Sequence, residues 1–510
     1  MRCVAGAGLL VLVGCNQVFG LHKTDLFDAP SPEAGNRPYF VKLTWQVADV
    51  LPSGDPDPIL LDAPITPAPA VSYGLLGQPL KNTSYSSSDG SVQVEQSLFE
   101  HDRNGKLATW RLEYTLAGGV PHEVQWAPED MVGQIAVPLF GRVARLAAPT
   151  GGGYTFTPTL FDPLTESYQS PRIFTTGQWS EGKVPQTGAD GSIDYDFADA
   201  AAMSGGRARP DPARGDRAIL VDYATDGAGC RVARGSAVLD SAAIVPNQHS
   251  HPQATWDKQL TDVTSSMVDV ADIARVLNRV GPIDAGTLAL GFAAHAAMPG
   301  LTGVQPSPRL TPTTVLPAPV MLTLLECPFS APALPQTHQP PAFGGFTRLL
   351  HVQLVSRREV LGVTLNAGIE TAITSPTVTD LKITFPATIP NTVTLTTSAG
   401  KLVLDANDDV DLGPASGMFT LDFVPEDGLR ADYYDVTVHQ IAESALVAKR
   451  VYTVTVPQVV IDGATLTPGA VYVFEIRSFK GHPDAGTGDF RPVSYPYGSA
   501  IVFTRTFHTS

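Results

Sequence analysis

Runs in which apolar and polar side chains alternate recur along most of this chain, and they constrain its fold more than any other feature. The first such run holds Tyr39, Val41, Leu43, Trp45 and Val47, with Lys42, Thr44 and Gln46 between them. This period is typical of a half-buried β-strand, because successive side chains of a strand point to opposite faces. Such strands need a second layer to cover the apolar face, so the sequence predicts a mainly β, multi-domain chain of antiparallel sandwiches.

The N-terminal residues have the three parts of a secretory signal. Arg2 gives a short charged start, an apolar run extends from Val4 to Val13, and Gly14 is the small residue before a cleavable bond. The segment is too short to span a bilayer. Leu12-Val13-Gly14-Cys15 resembles the lipobox of bacterial lipoproteins, in which the cysteine becomes a lipid-modified N-terminus.

That resemblance implies a signal peptide over residues 1–14 and acyl chains on Cys15, which would hold the protein to a membrane. Residues 15–37 have little periodicity and read as a flexible tether. The tether opens with Cys15-Asn16-Gln17-Val18-Phe19-Gly20-Leu21, which is similar to the start of myxobacterial-type lipoproteins. Asn16 follows the cysteine where enteric families place an aspartate for inner-membrane retention, so we expect the outer membrane. An N-terminal strand with an incidental cysteine is the alternative.

Residues 38–182 are predicted to form a first β-sandwich domain. Val92, Val94 and Leu98 share one face of an incoming run, and Trp110 begins an outgoing run. Asn104-Gly105 between them has the chemistry of a tight turn, which predicts a hairpin. The polar side chains of the outgoing strand are expected to face solvent: Arg111, Glu113 and Thr115.

Residues 183–215 are rich in glycine and proline and read as a linker, followed by a β-rich domain over 216–372. We expect strands at Ala218–Tyr223, at Cys230–Leu239 and near Val320–Leu325. One helix is predicted where apolar residues from Val270 to Val280 repeat at helical spacing and Gly281-Pro282 follows.

The last region, 373–510, carries a second resemblance. Phe419, Leu421 and Phe423 alternate with polar residues, and Leu466-Thr467-Pro468-Gly469-Ala470-Val471-Tyr472 leads into another alternating run. This pattern is similar to the fibronectin type III module. The resemblance implies an Ig-like sandwich with a tyrosine corner formed by Tyr472, Leu466, Pro468 and Gly469. Phe423 stands where that family usually has tryptophan.

Two cysteines remain for the folded body after Cys3 leaves with the signal and Cys15 takes the lipid. Cys230 and Cys327 are either a disulfide, which an oxidising compartment favours, or two buried thiols. The spacing alone does not decide between them.

Candidate metal ligands are few and incomplete. His249 and His251 would point to one side of a strand but lack further ligands with zinc spacing. Asp405, Asn407, Asp409 and Asp411 alternate as in a calcium loop, but Val410 and Ser416 stand where glycine and glutamate are needed. We therefore predict loop histidines, an acidic turn, no metal and no cofactor.

Tryptophans are the remaining candidates for binding. Trp45 and Trp110 lie on apolar strand faces and are expected in the core. Trp126 and Trp179 lack that alternation and are candidates for exposed, sugar-stacking positions.

Charge and motifs narrow the function classes. Acidic residues outnumber basic ones by 50 to 34 without a Lys/Arg run, which disfavours a nucleic-acid binder. Nucleophile elbows, zinc-protease helices and phosphate loops are absent from the sequence. The sequence therefore predicts a non-enzymatic envelope lipoprotein that binds, adheres or acts as a scaffold, with an envelope protein or a polysaccharide as partner. The alternative is an exported hydrolase, with residues 38–372 catalytic and the C-terminal module accessory.

Overall fold

The computed structural model describes residues 70–83, 109–115, 119–126, 218–239, 349–374 and most of 390–510, and further strand segments from residue 39 onward. The described chain is mainly β, with 3-10 helices at Gly463–Thr465 and Ala485–Thr487. The signal, Cys15 and the tether lie outside the described residues. So does the helix predicted over 270–280.

The N-terminal region confirms the first predicted strand and corrects the predicted hairpin. Its strands are β1 Tyr39–Asp49, β2 Ile59–Ala63, β3 Ala70–Leu75, β4 Lys81–Thr83, β5 Ser91–Val94, β6 Trp110–Thr115, β7 His122–Trp126, β8 Gln134–Arg142, β9 Thr155–Phe156, β10 Thr159–Leu160, β11 Ser170–Thr175, β12 Gln186–Thr187 and β13 Ile193–Asp196. The hairpin was wrong because β5 pairs antiparallel with β1, whereas β6 pairs with β3 and β7. Alternation identified the strands but carries no information on their partners.

The middle region consists mainly of antiparallel strands, although β16 and β17 pair in parallel with β9 and β10, and it confirms the three strands predicted there. Its strands are β14 Ala218–Thr225, β15 Arg231–Leu239, β16 His249–Ser250, β17 Gln253–Ala254, β18 Trp256–Asp257, β19 Leu260–Thr261, β20 Ala285–Ala293, β21 Met321–Pro328, β22 Thr337–His338, β23 Leu349–Val360 and β24 Val363–Thr374. The longest pair, β23 with β24, turns through Leu361 and Gly362 at φ values of 50° and 78°. Two successive positive φ values are typical of a tight hairpin turn.

The C-terminal region is a two-sheet sandwich. Its strands are β25 Thr392–Thr397, β26 Gly400–Val403, β27 Val410–Asp411, β28 Met418–Val424, β29 Tyr433–Ala442, β30 Ala445–Val454, β31 Gln458–Asp462, β32 Val471–Lys480, β33 Tyr497–Phe503 and β34 Phe507–His508. One sheet has the order β26-β25-β28-β31, and the facing sheet includes β30-β29-β32-β33. Each strand turns alternate apolar residues toward the other sheet, as alternation predicts.

The core between these two sheets is made of fully buried aromatic and aliphatic side chains. Phe423 packs edge-on against Tyr434, with ring centroids 4.9 Å apart. Phe423 therefore occupies a core position, and Tyr434 packs beside it. The same core cluster continues into the middle region through Leu354 and Cys327.

The facing sheet extends far beyond the C-terminal region. On one side β33 pairs with β24, and the sheet continues through β23, β20, β21, β15, β14 and β11. On the other side β30 pairs in parallel with β7, and the sheet continues through β6, β3 and β4. Strands from all three predicted domains thus share one sheet. The domain boundaries themselves stay predictions.

Candidate functional site

The two body cysteines are joined in a disulfide bond. Arg231 is opposite Glu326 in the register of β15 and β21, so Cys230 and Cys327 face each other across adjacent strands. Both are buried, with at most 1% exposure. Of the two alternatives left open by the sequence, the structure contains the disulfide, which closes a loop of sequence separation 97.

The Tyr472 side chain has the geometry of a tyrosine corner. Its ring is fully buried, and its hydroxyl oxygen accepts a hydrogen bond of 2.6 Å from the backbone N–H of Thr467. Leu466 is buried beside it, and Gly469 adopts a φ of 74°, which favours glycine. The Leu466–Tyr472 turn is therefore fixed to the start of β32.

The candidate metal ligands fall mostly outside the described residues. Only the backbone of His249 is described, in β16, and His251, Asp405, Asn407 and Asp409 are not described. Asp411 is described, and its carboxylate accepts a hydrogen bond of 2.8 Å from the Gly413 N–H. In the part of the chain that the structure covers, no group of three or more His, Cys, Asp or Glu side chains could hold a metal ion.

A mostly buried charged cluster lies where β6, β7 and β30 meet, and we call it the Arg450 cluster. It consists of Arg450, Glu113, Glu123, Arg111 and Gln125. The Arg450 Nη1 donates to Glu113 Oε2 at 2.5 Å and to Glu123 Oε2 at 2.9 Å. Arg111 lies 3.9 Å from the same Glu123 oxygen and donates to the Gln78 carbonyl at 2.8 Å.

The prediction that Arg111 faces solvent was therefore wrong, since the residue is 8% exposed. The face of β6 that holds Arg111 does carry the polar residues, as the alternation indicated. That side faces the interior because the pairing of β7 with β30 places it beside β31. Alternation separates two faces of a strand but does not show whether both are covered.

Burial controls the electrostatics of the Arg450 cluster. Burial raises the pKa of the Glu123 carboxyl, and the hydrogen bond from Gln125 and the two arginines oppose that rise. Burial alone would lower the pKa of Arg450, but Tyr452, Glu113 and Glu123 raise it above its ordinary value. Each buried charge therefore depends on its partner.

Gln125 connects β7 to the second sheet. Its side-chain N–H donates to the Val460 carbonyl at 2.6 Å, and its side-chain oxygen accepts from the Val460 N–H at 3.0 Å. These are the two main-chain groups that a neighbouring strand would bind. The Gln125 amide thus occupies the edge of β31 and ties the N-terminal strands to both layers of the C-terminal sandwich.

A second buried polar cluster lies on the opposite face of the large sheet, and we call it the Arg477 cluster: Arg477, Glu475, His439, Asp435 and Thr453. The Arg477 Nη2 donates to Glu475 Oε1 at 2.9 Å, and His439 Nε2 lies 2.9 Å from Glu475 Oε2. The Thr453 hydroxyl donates to Asp435 Oδ1 at 2.6 Å. The residues of β32 that alternate with this cluster, Phe474 and Ile476, belong to the core.

The pKa values of the two acids in the Arg477 cluster are shifted in opposite directions. Burial raises the pKa of Asp435 to about 6, although Thr453 and Arg477 oppose the rise. Burial would also raise the pKa of Glu475, but Arg477 and His439 outweigh it and lower the pKa to about 2. Glu475 is therefore the permanent counter-ion of Arg477, and Asp435 is a proton acceptor in mildly acidic solution.

A serine, a glutamate and a histidine meet further along the same face. The Ser499 hydroxyl donates to Glu370 Oε1 at 2.7 Å, and His351 Nε2 lies 3.1 Å from Glu370 Oε2. The carboxylate thus stands between the other two groups. A nucleophile triad needs the histidine in that central place, because the imidazole must take the hydroxyl proton. The arrangement joins β23, β24 and β33 but does not activate Ser499.

Two tryptophans face each other across β6 and β7. Trp110 is opposite Trp126 in the register, and they are 5% and 3% exposed. The expectation for Trp110 is confirmed, and the candidate exposed position of Trp126 was wrong. On the same face the His122 ring stacks on Tyr114 at 5.1 Å between centroids, and burial lowers the pKa of His122 to about 4.

The two charged clusters were not predicted from the sequence. The available signal was the placement of opposite charges at alternate positions, as in Glu475 and Arg477 of β32 or Arg111 and Glu113 of β6. Such pairs share a strand face whether that face is wet or dry. Recognising them as buried required knowledge of the neighbouring strands.

Comparison with known proteins adds little. No protein-family model matches the chain, and no curated protein matches it. A solved structure of native alpha-2-macroglobulin from E. coli aligns with 11% identity and a TM-score of 0.13, over 94% of this chain and 28% of that chain. The chain thus spans less than a third of that protein, and a likeness this low carries no argument about fold or function. Within the residues that the structure describes, no helix is long and apolar enough to cross a membrane.

Proposed function

We propose that this chain is an exported, lipid-anchored protein of the cell envelope, whose β body serves as a scaffold or binding module rather than an enzyme. The observation that carries the proposal is the disulfide between Cys230 and Cys327. Such bonds form and persist in oxidising compartments and are rare in the cytosol. An exported location agrees with the signal-like residues 1–14 and the lipobox at Cys15.

The buried polar groups support a scaffold role. Within the Arg450 cluster and within the Arg477 cluster, the arginine is paired with glutamate of the same cluster. Ser499 donates its hydrogen bond to a carboxylate and not to a histidine base. Groups paired in this way connect strands. The shared sheet extends from β4 to β11 through the C-terminal sandwich, which gives an anchored protein a long surface for contacts.

The finer parts of the proposal rest on resemblance. The tyrosine corner and the two-sheet strand order support a fibronectin type III-like C-terminal module. Asn16 after the lipidated cysteine supports the outer membrane as location. Fold alone does not identify a ligand, and an envelope protein or a polysaccharide is the partner class proposed.

Membrane fractionation tests the anchor. The native protein should sediment with membranes and be released by detergent, because several acyl chains bind far more firmly than one. The Cys15→Ala variant should lose this behaviour, whereas Cys3→Ala, which changes a residue of the cleaved segment, should not. Membrane association that survives in Cys15→Ala would contradict the proposal.

A further inference from the structure

A serine hydroxyl of the middle region is hydrogen-bonded to a histidine ring. The Ser236 hydroxyl donates to His338 Nε2 at 2.7 Å, and His338 Nδ1 donates to the Gln259 carbonyl at 2.9 Å. A carbonyl oxygen can only accept a hydrogen bond, so the proton of the neutral imidazole is on Nδ1. The lone pair of Nε2 therefore faces the serine hydroxyl, which is the tautomer that a general base requires.

The order of these three groups differs from that around Ser499, where a carboxylate stands between the serine and the histidine. We call Ser236, His338 and the Gln259 carbonyl the Ser236 triad. Its histidine is central, with the hydroxyl on one side and an orienting acceptor on the other. A nucleophile, a base and a group that orients the base are the parts of an activated serine. Because the carbonyl is uncharged, it stabilises an imidazolium less than a carboxylate would, and we expect a slow nucleophile.

Three local features hold the Ser236 triad in place. Ser236 lies within β15, where it is opposite Asp257 of β18. The Asp257 carboxylate accepts a hydrogen bond of 3.0 Å from the Gln259 N–H, and this turn sets the position of the Gln259 carbonyl. The Thr337 hydroxyl donates to the Leu324 carbonyl at 2.6 Å, which fixes the start of β22 beside β21. The histidine that follows Thr337 is thereby held over the serine.

The surroundings of the Ser236 triad are dry and apolar, although the surface is near. Ser236 and His338 are 1% and 0% exposed. Val221 is opposite Ser236 and fully buried, and the half-buried Leu260 is opposite His338. Gln259 is exposed, and β19 and β22 form a separate ribbon with two residues in each strand. Local opening of so short a ribbon gives an uncharged, apolar molecule access to the serine.

We propose that Ser236 is an acylation site, which takes an apolar acyl group from an ester and holds it covalently. The serine oxygen bonds to the acyl carbon while the bond from that carbon to the alcohol oxygen breaks. His338 accepts the serine proton at Nε2 and passes it to the leaving oxygen, which departs as an alcohol. Burial keeps water from the acyl-serine, so the ester persists. This covalent capture adds a ligand class to the proposed binding role and does not depend on the lipid anchor.

An uncharged chromogenic ester, p-nitrophenyl hexanoate, tests the proposal on the full chain in the Cys15→Ala background. Nitrophenolate should be released in a single burst of one equivalent per chain, and peptide mass spectrometry should find the hexanoyl group on Ser236. Ser236→Ala should abolish both signals. His338→Gln, which keeps a neutral hydrogen-bonding side chain, should slow the burst at least about hundredfold. Ser499→Ala is the matched control, a serine equally buried but bound to a carboxylate, and should change neither signal.

Absence of the hexanoyl group from Ser236 would overturn the proposal, and so would an undiminished burst in Ser236→Ala or His338→Gln. Continued release that depends on Ser236 would also overturn it, because the site would then hydrolyse esters instead of holding the acyl group. If His338→Gln does not fold, labelling of the native chain in urea replaces it, and a rate at Ser236 equal to that of the folded chain would count against the proposal. Every variant lacks the lipidated cysteine, so failure of the anchor and failure of acylation are separate outcomes.

Discussion

Replacing Arg450 with methionine should break the Arg450 cluster while preserving most of the side-chain volume. Arg450 is bound to Glu113 and Glu123, whose side chains are 24% and 2% exposed. Removal of one partner of a buried ion pair typically costs about 3–5 kcal/mol, because the other charge is left uncompensated. Arg111 still lies 3.9 Å from Glu123, so we expect the lower end, about 3 kcal/mol.

Hydrogen exchange of the β7 and β30 amides measures this loss locally. A change of about 3 kcal/mol corresponds to a roughly 150-fold loss of protection. Arg450→Met combined with Glu123→Gln should recover part of it, because the uncompensated charge is then absent. The control is Glu326→Gln, whose pair with Arg231 is exposed and should contribute at most about 1 kcal/mol. Equal protection in Arg450→Met and the control would refute the reasoning.

Three further predictions concern other parts of the fold. Burial lowers the pKa of His122 to about 4 in the folded protein, so neutral His122 contributes fully to the free energy of unfolding above its unfolded pKa of about 6.5. About 3 kcal/mol of this contribution should be lost as the pH falls from about 6.5 to 4. Urea unfolding of His122→Gln should therefore depend less on pH than that of the native protein, and equal pH dependence would contradict this. Tyr472→Phe should cost about 1–2 kcal/mol in chemical denaturation, because the Thr467 N–H loses its acceptor, and no change would refute the tyrosine corner. Reduction of the Cys230–Cys327 bond should cost about 2–5 kcal/mol of stability, so adding reductant should lower the Tm of the native protein. Reductant should leave the Tm of a double Cys→Ser variant unchanged, and an unchanged Tm in the native protein would count against the prediction.

The sequence predicted the strands better than their partners. β1, β14, β15, β28 and the start of β32 each follow from local alternation, because the period of two is a property of the backbone itself. The β5–β6 hairpin failed because pairing is decided by distant residues. The parallel contact of β7 with β30 joins positions 327 residues apart in the case of Glu123 and Arg450.

The candidate sites divide in the same way. Tyr472 and its turn were predicted through the resemblance to a known module, whose motif lies within a few consecutive residues. Cys230 and Cys327 could be identified as a candidate disulfide, but the sequence could not decide whether they are bonded, because the distance between them depends on the register of β15 and β21. The burial of Arg111 and Trp126 could not be predicted, because it comes from strands that the local sequence does not contain.

Intact mass of the protein purified from its own cells tests the central claim most directly. An exported lipoprotein should lack residues 1–14, should carry lipid mass on Cys15, and should gain mass at Cys230 and Cys327 on alkylation only after reduction. A chain that retains Met1, without lipid and with free thiols, would contradict both the proposed export and the proposed anchor.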